Sequence, residues 1–111
     1  MRTDYSHQRF RHAVYALAVG PGDVRSRLLS VYVDDLSPIS AVDLPPELKD
    51  DYVWVLQQLS KFRLSKKELE GGYWRYGHVE HTLRRIRNST GARIAERICH
   101  IDWMLRNEYT E

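Results

Sequence analysis

The chain has 111 residues, 42% hydrophobic and 29% charged, with a formal net charge of +2. This length suits one helical domain, residues 1–111, with a self-sufficient core, and the composition excludes a disordered or fibrous chain. A lone cysteine, Cys99, excludes an internal disulfide, and the longest uncharged run near the N-terminus, 13–22, is broken by Gly20-Pro21-Gly22. No leader or membrane span is therefore expected, and the setting predicted is the reduced cytoplasm.

Phe10, Ala13, Val14 and Leu17 recur on one face of a helix predicted over 5–19, which Gly20-Pro21-Gly22 ends. Asp23 stands where an N-cap belongs, before Val24, Leu28, Val31 and Tyr32 at helical spacing, and predicts a helix over 24–36. Pro45-Pro46 opens a third over 46–62, with Leu48, Tyr52, Val55, Leu56, Leu59 and Phe62 as its buried stripe and Val53 and Trp54 widening it. Ser65-Lys66-Lys67-Glu68 has the capping-box pattern, but Gly71-Gly72 limits that helix to a turn or two, and 71–77 reads as a loop.

The last segment is the longest. Val79, Leu83, Ile86, Thr90, Ile94, Ile98, Ile101 and Leu105 keep helical phase over 78–107. One straight helix of that length would measure ~45 Å, longer than the ~34 Å diameter implied by a ~13 Å radius of gyration for a compact chain of this size. Either the bundle is elongated, or the helix breaks near 89–91, with Ser89 or Thr90 capping its second half; Gly91 favours the break, because glycine costs a helix interior ~1 kcal/mol. The fold predicted is all-α: a bundle of four to five helices, compact or elongated.

Charge is unevenly distributed. Residues 33–59 carry six acids against Lys49, and residues 60–99 carry ten bases against four acids. These halves either pair within the fold or face different partners.

Few residue sets suit catalysis. His78 and His81 share a helical face, but a metal needs further ligands, and none is named by spacing. Cys99 lies beside Ile98 and reads as a small buried filler, with His100 about 100° around the helix and no base in reach. The carboxylates sit in solvated-looking positions at helix ends, and neither glycine cluster has the spacing of a phosphate loop. No catalytic residue, metal or cofactor is assigned.

Two binding readings remain. Three Trp and seven Tyr are more large amphipathic surface than so small a bundle easily encloses. Such residues dominate interfaces, which points to a protein-interaction or regulatory module, self-associating or with another protein; the candidates are Tyr73, Trp74, Tyr76 and Trp54. The alternative is nucleic-acid binding through 75–97, where Arg75, Arg84, Arg85, Arg87, Arg93 and Arg97 would reach phosphates and Trp74 or Tyr76 would stack on bases. The competing structural role is a solvated basic face whose arginines pair within the helix, as Glu80 with Arg84 and Arg93 with Glu96, or with the acids of 33–59, beside a loop whose aromatics cap the core.

Overall fold

The computed structural model describes residues 2–72 and 74–109, with side chains from Asp4 onward. Among the described residues six α-helices follow one another: α1 (Arg2–Val19), α2 (Val24–Val31), α3 (Pro46–Leu59), α4 (Lys66–Glu70), α5 (Gly77–Leu83) and α6 (Asn88–Glu108). No strand occurs among the described residues, and the all-α bundle is as predicted. The body measures 47 × 26 × 19 Å with a radius of gyration of 14.1 Å, so elongation and a break together resolve the length conflict.

The local signals work as the sequence predicts at three helix starts. Asp23 accepts from the backbone N–H groups of Arg25 and Ser26, capping α2. Pro45 and Pro46 open α3. Ser65 and Glu68 form a reciprocal capping box for α4. Gly22 takes φ +81 in the turn between α1 and α2, a left-handed conformation that only glycine adopts without strain.

Beyond those starts, tertiary contacts decide. The segment 24–36 is helical, but its last turn, Tyr32–Leu36, widens into a π-helix closed by Ser37 N–H on Tyr32 O. Both Asp35 and Leu36 are buried in that turn. Asp35 is fully enclosed and meets α1: His12 Nδ1 lies 2.9 Å from each carboxylate oxygen, and Arg9 Nη1 lies 3.3 Å from Oδ1. A carboxylate taken from water needs such partners. Asp102 on α6 is buried too, with Oδ2 accepting from Arg106 Nε at 3.0 Å. The solvated positions expected of the carboxylates therefore fail at these two residues.

Helix α3 ends at Leu59 rather than 62, because Ser60 caps it and turns its hydroxyl back to Leu56 O at 2.8 Å. Phe62 is consequently 40% exposed, not part of the stripe, and Val53 is exposed as well. Tyr52, by contrast, is fully enclosed: its ring meets Phe10 edge-on at 5.6 Å, and its hydroxyl lies 2.9 Å from the carbonyls of Leu36 and Ile39. Burial pushes its phenol well above the ordinary range.

The long C-terminal segment is divided, but at 84–87 rather than 89–91. Arg84 caps the end of α5, and Arg25 reaches across from α2 to take the Ile86 carbonyl at 3.1 Å. Neither Ser89 nor Thr90 caps α6; Arg87 holds the N-cap position without a side-chain bond. Gly91 lies inside α6 because α2 crosses there: a Cβ would sit 3.0 Å from Val24 Cγ1. Its absence lets the two helices approach. Ile94, Ile98, Ile101 and Leu105 then continue one buried face into the cluster formed by Phe10, Leu28, Leu48, Tyr52 and Val55.

Candidate interaction surface

Two regions carry the aromatic and basic residues singled out by sequence. The first is the elbow formed by 60–87. Here the connector from α3 to α4 runs over α5 with its backbone polar groups bound by side chains. Phe62 N–H donates to Thr82 Oγ1 at 2.9 Å, while Phe62 O accepts from His81 Nδ1 at 2.7 Å and from the Thr82 hydroxyl at 3.3 Å. Leu64 N–H donates to His78 Nδ1 at 2.8 Å. His81 thus carries its proton on Nδ1 and His78 does not. The two histidines are consumed as struts, and among the described residues no three His, Cys, Asp or Glu side chains converge on a metal-sized site.

Trp74 is half-buried against these struts. Its ring meets His81 edge-on at 5.0 Å and 89°, and the Arg84 guanidinium lies over it at 5.0 Å. Arg84 also pairs with Glu80 at 3.0 Å, the intrahelical bond that the sequence suggests. Arg75 covers Tyr76 at 5.3 Å, and Arg85 Nη1 donates to His81 O at 3.4 Å. Tyr73 lies outside the described residues. The aromatic faces and guanidinium groups at the elbow are therefore largely directed at each other. Arg87 and Arg93 differ: both are exposed, and among the described residues neither forms an ion pair or side-chain hydrogen bond.

The second region is the outward side of α6 with the adjoining edge of α3. Arg97 Nη1 binds Asp51 Oδ1 at 2.9 Å, and its guanidinium lies over the Trp54 ring at 4.6 Å. His100 Nε2 stands 4.0 Å from the other Asp51 oxygen. Asp51, Glu96, Arg97, Cys99, His100 and Trp103 line a shallow open cleft. Cys99 is half-buried rather than a buried filler, and burial, with Asp102 and Glu96 beside it, pushes its thiol up and away from a reactive thiolate. The acidic middle and the basic half pair across this face through Asp51 and Arg97; among the described residues Arg93 joins neither Glu96 nor any other acid.

Trp103 is the residue that motif reading missed. It is 50% exposed on a well-packed helix, whereas Trp54 is half-buried. The signal was present in its phase: two residues after Ile101, it falls about 200° around the helix from a core position.

No protein-family profile, curated protein or solved structure matches the chain. Among the described residues no helix is long and apolar enough to cross a membrane.

Proposed function

We propose that the protein is a non-enzymatic interaction module of the cytoplasm that docks a protein partner on the outward side of α6 and the neighbouring edge of α3. The observation that carries this reading is Trp103, half out in water beside the Trp54–Arg97–Asp51 group. Tryptophan and arginine are the residue types that anchor interfaces, and an exposed indole on a rigid helix loses little side-chain entropy when covered. The free thiol of Cys99 suits a reducing compartment.

Benzoylphenylalanine placed at position 103 and irradiated in cells is expected to give one covalent protein adduct of defined mass. The same probe at Val42, exposed on a different element, should give none. Equal yields from the two positions, or none from either, would overturn the reading.

A second reading is favoured by Arg87 and Arg93, which are exposed and, among the described residues, have no acid partner. It requires binding to nucleic acid that weakens steeply between low and physiological salt, and retention of that binding by Arg87→Glu/Arg93→Glu would end it.

A further inference from the structure

The outward side of α6 has a sequence pattern of its own. Ser89, Arg93, Glu96, His100, Trp103 and Asn107 step by four, three, four, three and four, and all six are exposed. This is the spacing of a coiled-coil seam, diametrically opposite the buried face of Ile94, Ile98, Ile101 and Leu105. Its charges decide which helix it fits. Laid parallel in register on itself, the seam would set Arg93 on Arg93 and Glu96 on Glu96. Laid antiparallel about a twofold axis level with Ile98, every layer is complementary: Ser89 meets Asn107, Arg93 meets Trp103, and Glu96 meets His100, each pair occurring twice.

We infer that the occupant of this face is a second copy of the chain, paired antiparallel through α6, an assignment that rests on the interaction reading above and names its partner. The Arg93–Trp103 contact is a cation–π pair, and among the described residues Arg93 has no acid partner. The Glu96–His100 contact sets a carboxylate against an imidazole N–H, beside Asp51, which stands 4.0 Å from the same imidazole. The parallel outward stripe of α1, Tyr5, Gln8, His12, Tyr15 and Val19, is exposed too, but its one imidazole, His12, is already bound by Asp35. A single-helix seam with one large apolar residue buries little area, so the dimer is a weak, exchanging one.

Sedimentation of the full chain from micromolar to millimolar concentration is expected to show the mass rising from 13.1 kDa toward twice that value. Arg93→Glu should weaken the association about tenfold or more, because two symmetric contacts are lost, with an unchanged helical spectrum confirming that the exposed substitution leaves the fold intact. Register is tested in a Cys99→Ser background by mixing a Glu96→Cys chain with a His100→Cys chain. The mixture should form interchain disulfides faster than either chain alone. Equal linking by Glu96→Cys chains alone would overturn the antiparallel pairing. A constant monomer mass would overturn self-association. If position 103 then still gives a photoadduct of another mass, the interaction reading survives without it; if it gives none, both fall.

Discussion

Trp74 and Trp103 occupy opposite situations from those their sequence contexts suggest. Trp74 lies among glycines in a loop, yet it is held edge-on by His81 and covered by Arg84. Trp103 lies in the middle of a 21-residue helix, yet half of it is in water. The difference lies in what surrounds each. At the elbow the chain turns repeatedly, and each turn leaves backbone groups that side chains must satisfy, so polar and aromatic residues are drawn inward. On the outward side of α6 the backbone is satisfied by the helix itself, and no backbone group there draws the Trp103 ring inward. Substitutions at the elbow should therefore cost stability, and substitutions on α6 should cost association.

The largest effect on folding is expected at Thr82. Thr82→Val removes the side-chain acceptor of Phe62 N–H and should destabilise the protein by about 2 kcal/mol, measured by urea denaturation. Trp74→Ala should cost about 1–2 kcal/mol by the same measurement, through the lost ring contacts, while leaving the sedimentation behaviour unchanged. Trp103→Ala sharpens the contrast: stability should stay within about 0.5 kcal/mol of the parent, while the concentration-dependent mass is lost. A Trp103→Ala protein that unfolds more readily than Trp74→Ala would reverse the assignment of the two regions.

The smallest expected effect is at acid pH. Backbone and side-chain hydrogen bonds from Ser65 hold the Glu68 carboxyl below its ordinary 4.5. Because the folded value is the depressed one, this contribution is present above 4.5 and is lost as pH falls through the folded value. Glu68→Gln should flatten the acid limb of a stability-versus-pH curve without altering its level shape near neutrality, and an unchanged limb would show the capping box to be inert.

Legibility in the sequence followed the range of each interaction. Start signals at Asp23, Pro45-Pro46 and Ser65 act within a turn, and each is where the sequence puts it. The break in the last helix was misplaced because Gly91 has two opposite explanations, a helix breaker or a close crossing, and only Val24 at 3.0 Å from its missing Cβ decides for the crossing. At the candidate face, Arg97 and Trp54 were singled out from composition, whereas their stacking with Asp51 depends on α3 lying beside α6. Trp103 was legible by helical phase but not by motif.

The sequence by itself determined an all-helical bundle, because hydrophobic period and capping chemistry are properties of neighbours along the chain. The tertiary structure alone decided which polar residues would be consumed. Asp35, remote from α1 in sequence, is enclosed with His12 and Arg9, and His78, His81 and Thr82 are tied to a connector many residues earlier. A buried group must find its partner wherever the fold brings one, so that choice belongs to the packed molecule rather than to any stretch of its sequence.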